Sequence, residues 1–193
     1  MKSIFQKLMF SLALFSLFAF LTPSMPGEHL VSKNRVEIQA RHCQKYVVAG
    51  KWNDAACAND PATLFYEHED HNLRTTAGGD WQASVMGNTS APPATCNYIA
   101  LSNDSTAPAV GDTSVASEIV SNGLSRAQGT YAHTGGTASF TVQKVFNATG
   151  TQASQKTGLL NASSTGTLCF ENTYTQVTVN NGDTLTVTWT INY

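Results

Sequence analysis

The run Gly182-Asp183-Thr184-Leu185-Thr186-Val187-Thr188-Trp189-Thr190-Ile191-Asn192-Tyr193 leaves this chain the least structural freedom. Leu185, Val187, Trp189, Ile191 and Tyr193 share one parity; Thr184, Thr186, Thr188, Thr190 and Asn192 share the other. Successive strand side chains point to opposite faces, so a period of two builds one apolar face and one hydroxyl-rich face, the pattern of a half-buried β-strand. Threonine suits the solvated face through its branched Cβ. Asn180-Asn181-Gly182-Asp183, just ahead, reads as a tight turn. A late strand with an inward tryptophan needs pairing partners and a facing layer, and both must come from upstream.

The rest of the chain is suited to supply them. At 193 residues it matches one β-sandwich or barrel with an extension. Only 12% of residues are Asp, Glu, Lys or Arg, against roughly 25% in ordinary soluble domains, and Thr, Ser, Asn and Gly fill the polar remainder. A formal net charge of -2 gives no reason to expect nucleic acid, whose binding rests on clustered Lys and Arg.

Read in order, residues 1–26 form a hydrophobic leader. Lys2 and Lys7 precede the apolar run Leu8 to Leu21, which is short for a membrane span and resembles a secretory signal, although Thr22-Pro23-Ser24 is a poor cleavage site. Met25 offers an alternative start. Residues 31–92 read as a β-rich arm with loops. Val36, Ile38 and Ala40 alternate, Tyr46-Val47-Val48 runs into a turn at Ala49-Gly50, Lys51 to Pro61 is irregular, and Thr63 to Tyr66 is a short strand. The polar stretch Glu67-His68-Glu69-Asp70-His71 is then expected as a solvated loop, with a helical turn over Asp80 to Met86 capped by Asp80. Residues 93–193 carry strands and glycine-bearing turns about every ten residues, with a short helix at Thr113 to Val120, a strand over Arg126 to His133, and Phe140, Val142 and Phe146 on one face of another. The fold class expected is all-β, an antiparallel β-sandwich of jelly-roll or immunoglobulin-like arrangement with an N-terminal extension.

Chemistry is thin. The spacing His68-x-x-His71 fits neither a zinc-binding helix, which uses i and i+4, nor a strand, which would send the imidazoles to opposite sides; a turn could still join them. No G-x-S-x-G elbow or phosphate-binding loop is present, and His133 has no evident acidic partner, so neither a catalytic residue nor a cofactor or metal is assigned. Trp52, Trp81 and Trp189 with Tyr98, Tyr131 and Tyr193 could line a sugar-binding surface, except that parity turns Trp189 into the core. Trp52, Trp81, His68 and His71 are therefore the surface-binding candidates. Cys43, Cys57, Cys96 and Cys169 include no C-x-x-C pair, and their three possible pairings stay open.

Ordered blocks over roughly residues 71–193 carry a resemblance. They are His71-Asn72-Leu73-Arg74-Thr75 with Gly78, Asn97 to Leu101, Thr106 to Thr113, Glu118-Ile119, Gly123-Leu124-Ser125-Arg126-Ala127, Phe140 to Thr149, Gly158 to Ala162 and Asn181 to Ile191. Together they resemble a family of small bacteriophage structural proteins, tail-fibre-like or virion proteins. Leu160 stands where that family usually has Phe. The resemblance implies a non-enzymatic virion component of the tail or fibre that aids assembly or host attachment. Its implied partners are other virion proteins, further copies of itself (trimers are common among phage fibres) and a host-surface glycan or receptor. It also implies assembly in the host cytoplasm, hence a start at Met25 and four free thiols. A secreted bacterial adhesin or carbohydrate-binding module, with the leader as a true signal and at least one disulfide, is the alternative.

Overall fold

The structure, a computed structural model, describes residues 34–88 and 90–193; the leader and the choice between Met1 and Met25 lie outside them. In chain order the strands are β1 (Arg35–His42), β2 (Val47–Val48), β3 (Lys51–Trp52), β4 (Leu64–His71), β5 (Leu73–Arg74), β6 (Tyr98–Ser102), β7 (Ala127–Gln128), β8 (Thr130–His133), β9 (Ser139–Asn147), β10 (Gln152–Leu160), β11 (Leu168–Val179) and β12 (Asp183–Asn192). Among the described residues two α-helices, α1 (Asp54–Ala58) and α2 (Thr76–Gly87), and two single-turn 3-10 helices, Gln44–Tyr46 and Pro61–Thr63, interrupt them.

Strand β12 is the centre of one sheet. That sheet runs β4-β1-β12-β9-β8, and a second runs β5-β11-β10-β6-β7; all pairings are antiparallel. β12 pairs with β1 on one side, Val36 opposite Trp189 and Ile38 opposite Val187, and with β9 on the other, Val142 opposite Trp189. Leu185, Val187, Trp189 and Ile191 are buried, as their parity requires, together with Val36, Ile38, Ala40, Phe140, Val142 and Phe146. The facing layer comes from the second sheet: Phe170 meets Trp189 with ring centroids 6.3 Å apart, and Ile99, Leu101 and Leu159 are buried in the same cluster. The fold is an all-β antiparallel sandwich. Over residues 35–74 the described part of the arm is woven into it, since β1 and β4 lie in one sheet and β5 in the other.

Several local expectations give way to tertiary context. The polar stretch Glu67 to His71 is not a loop but the second half of edge strand β4, because β1 offers it a ladder: Gln39 opposes Glu67 and Arg35 opposes His71. Gln39 donates to Glu67 at 2.9 Å and Arg35 to Glu69 at 2.8 Å, and charged side chains on an outer strand discourage further pairing. Lys51 to Pro61 holds β3 and α1 rather than an irregular loop. Helix α2 starts earlier than expected; Thr75, not Asp80, is its N-cap and accepts from the Gly78 amide at 2.9 Å. No helix forms at Thr113 to Val120. Ser102 Oγ donates to the carbonyls of Ala116 and Ser117, and Ser117 has φ 50°, which breaks helical continuity. Arg126 to His133 divides into β7 and β8, in different sheets.

Strand β10 extends further than its sequence suggests, from Gln152, because it is covered on both sides. Ser154, Lys156 and Thr157 are buried with Leu159 and Leu160, so no alternation survives. Outside it, residues 103–121 lie over the second sheet and bury Val115 against Ala100, Leu160 and Leu168. Finally, the four cysteines are not free. Cys43 is bonded to Cys57 and Cys96 to Cys169, with Cα–Cα distances of 5.6 and 6.5 Å, inside the usual disulfide range. The thiol expectation fails because tertiary packing, which the sequence does not display, brings these residues together: α1 folds back against β1 to join Cys57 to Cys43, and the second sheet places Cys169 of β11 beside Cys96 just ahead of β6.

Candidate functional site

An aromatic cleft opens where α2 crosses one end of the sandwich. Thr75 anchors the helix start: its hydroxyl donates to the Leu168 carbonyl, and its amide to Cys169 O at 3.2 Å. Gly78 brings the helix backbone against β11, since a Cβ there would lie 2.1 Å from Cys169 O. The next helical turns then carry Trp81 and Val85 over the sheet edges.

The cleft has a volume of about 310 Å³ and is lined by Trp81, Val85, Thr95, Cys96, Asn97, Tyr131, Phe140 and Tyr193. Tyr131 comes from edge strand β8, and Tyr193 follows β12, its amide donating to Ala138 O at 3.0 Å. Phe140 lies between them, 5.5 Å from the Tyr131 ring and 5.8 Å from the Tyr193 ring. Trp81 Nε1 donates to Ala94 O at 2.7 Å, which fixes the indole plane as one wall. Tyr131 and Tyr193 are 59% and 68% exposed, so their ring faces are open to a ligand. A phenol is neutral at physiological pH, so Tyr193 offers a hydroxyl that can donate and accept. None of the lining side chains carries a charge. The chemistry offered is apolar ring stacking with a few hydroxyl and amide groups, which suits a neutral ligand with CH faces and hydroxyls.

The other candidates lie elsewhere. Trp52 pairs with Val47 in the β2–β3 hairpin, away from the cleft lining. His68 and His71 occupy opposite faces of β4. His68 turns inward, its ring 6.1 Å from Tyr174, whereas His71 borders a shallow depression with Arg35, Glu69, Ser139, Thr190 and Asn192. No turn joins the two imidazoles, and among the described residues no group of three or more His, Cys, Asp or Glu could hold a metal. His133 bonds its own hairpin, Nδ1 to Ser139 O at 2.7 Å. Of the aromatic set, Trp81, Tyr131 and Tyr193 converge and Trp189 is core. Phe140 escaped notice because its parity marked it as core, and it serves both.

A second polar constellation had no sequence signal. Lys156, Asp104 and Glu171 meet on the outer face of the second sheet, with Lys156 Nζ 2.5 Å from Asp104 Oδ2 and 3.8 Å from Glu171 Oε1. The three are scattered in sequence, so only strand pairing unites them. No family model matches this chain, and no curated protein or solved structure matches it either.

Proposed function

We propose that the chain is a non-enzymatic structural protein of a bacteriophage virion, a tail or fibre-associated sandwich that contributes to assembly or host attachment. The observation that supports this reading is where the virion-like blocks lie: they form the joints of the sandwich and do not converge on a reactive centre. His71 O accepts from Asn172 at 2.8 Å, and Thr75 and Gly78 seat α2 on β11. Glu118 and Arg126 join the 103–121 segment to the turn after β10, where Arg126 also donates to Ala162 O and Thr165 O at 3.2 and 2.8 Å. Asn161 Oδ1 accepts from the Thr167 amide at 2.7 Å within that turn, and Asp183 closes the last hairpin by accepting from the Asn180 amide at 2.8 Å. Residue types used this way describe a scaffold. Mass spectrometry of purified particles is the test: the chain is expected among virion proteins, and its absence would overturn the reading.

The second reading, a secreted surface adhesin or carbohydrate-binding module, is favoured by one observation. All four cysteines are paired, and disulfides persist chiefly in oxidising compartments. Recovery of the processed chain from periplasm or medium, with no particle association, would favour it over the first.

A further inference from the structure

Under the 103–121 segment, a lysine and two carboxylates from separate elements meet out of solvent. The side chains of Lys156 and Glu171 are 3% and 1% exposed, and that of Asp104 is 19% exposed. Strand register sets the meeting: Lys156 opposes Ser102 at the end of β6, and Gly158, of the same parity, opposes Glu171. Asp104 follows two residues after Ser102, its amide donating to Ser102 Oγ at 2.9 Å. Gly158 faces Val115 and Leu168, so the setting is apolar.

Lys156 sits tightly against Asp104 and only loosely against Glu171, so the ion pairing is uneven. Neither carboxyl oxygen of Glu171 has a hydrogen-bond partner, its cation Lys156 stands off at 3.8 Å, and burial of a carboxylate so loosely paired favours its neutral form. We propose that Lys156 and Asp104 condense to an intramolecular amide between Nζ and Cγ, with Glu171 carrying the protons. Across the 2.5 Å hydrogen bond, the ammonium passes one proton to the Asp104 carboxylate, giving a neutral amine beside a neutral acid. Nζ then attacks Cγ and forms the C–N bond. Glu171 donates its proton to the Asp104 carbonyl oxygen and takes one back from the nitrogen. It next protonates one of the two hydroxyls on Cγ; the C–O bond breaks, water leaves, and the remaining hydroxyl returns its proton to Glu171. The balance is one ammonium plus one carboxylate giving one amide plus water, with Glu171 unchanged and no oxidant or cofactor required. Burial first, then Asp112, raise the Glu171 carboxyl to about 7 against the opposing pull of Lys156, so it holds the proton this route needs. The bond would tie the exit of β6 to β10 across 52 residues and, unlike the disulfides, would not answer to reductant.

The test is the intact mass of the reduced, denatured full chain, with peptide mapping. The expected wild-type chain is lighter than the sum of its residues by one water and yields a branched peptide joining Lys156 to Asp104. The Glu171→Gln chain is expected at full mass, as is Lys156→Arg, which keeps the charge beside Asp104 but lacks the amine. A wild-type chain at full mass overturns the proposal. So does a one-water deficit that persists in Lys156→Arg, since Asp104 would then have cyclised onto its own backbone. Complete cross-linking in Glu171→Gln would overturn the role of Glu171; if that variant does not fold, the wild-type map still decides the bond.

Discussion

Arg126 and Glu118 form a two-pronged ion pair: Nε donates to Oε1 at 2.8 Å and a terminal nitrogen to Oε2. The side chains are 9% and 21% exposed, and the remaining guanidinium nitrogen serves the carbonyls of the turn after β10. Removing one partner leaves a largely buried charge without compensation. Arg126→Ala is therefore expected to destabilise the fold by about 3 kcal/mol, read as a lower urea midpoint. Arg126→Lys should recover only part of this, because an ammonium cannot reproduce the fork.

The contact of Gly78 with Cys169 predicts opposite signs at neighbouring glycines. Gly78→Ala places a methyl against backbone that cannot yield and should cost about 1–3 kcal/mol. Gly79 has its nearest foreign atom at 3.9 Å, so Gly79→Ala should stabilise α2 by up to about 1 kcal/mol through helix propensity. Thermal unfolding of the two variants checks both signs, and equal effects would mean that α2 is not seated on β11.

Glu171 predicts a pH dependence. Its carboxyl is raised from 4.5 to about 7, by burial first and then by Asp112. The folded chain thus keeps a proton that the unfolded chain releases between those values. The stability due to this group is complete below 4.5, declines as pH rises towards 7, and is gone above it. The loss is of order 3 kcal/mol. Urea midpoints across the window should fall for the wild-type chain, and the slope should flatten in Glu171→Gln.

The disulfides predict a redox dependence. Cys96–Cys169 closes a separation of 73 residues and Cys43–Cys57 one of 14, and the longer loop constrains the unfolded chain more. Reduction should lower the melting temperature, with about 2–4 kcal/mol lost per bond. Cys96→Ala should cost more than Cys43→Ala; an unchanged melting temperature in reductant would show that the bonds do not form.

The cleft predicts ligand chemistry. If Trp81, Tyr131 and Tyr193 receive a neutral sugar, Trp81→Ala should reduce glycan retention by roughly five- to a hundredfold, with base stacking on aromatics giving the scale of about 1–3 kcal/mol per ring. Trp52→Ala should leave retention unchanged. Glycan-array binding of the wild-type chain and both variants separates the outcomes.

The half of the fold that follows a period of two was legible in the sequence. The alternation of Leu185 to Ile191, and of Val36 to Ala40, named the inner face of each strand, because side-chain direction in a strand depends on position alone. The Ala49-Gly50 turn was legible for a similar local reason, both residues taking positive φ. What local pattern could not state was who pairs with whom. Glu67 to His71 became a strand only because β1 lay beside it, and β10 lost its alternation because a segment with no regular structure covered its outer face. The Cys96–Cys169 pair and the meeting of Lys156 with Asp104 and Glu171 depend on the packing of strands far apart in the chain, and Cys43–Cys57 on α1 folding back against β1. Trp81 reaches Tyr131 and Tyr193 only because Gly78 lets α2 press against β11. Local sequence determined which face each strand buries; the tertiary structure decided the neighbours, since pairing energies are realised only when distant segments are already in contact.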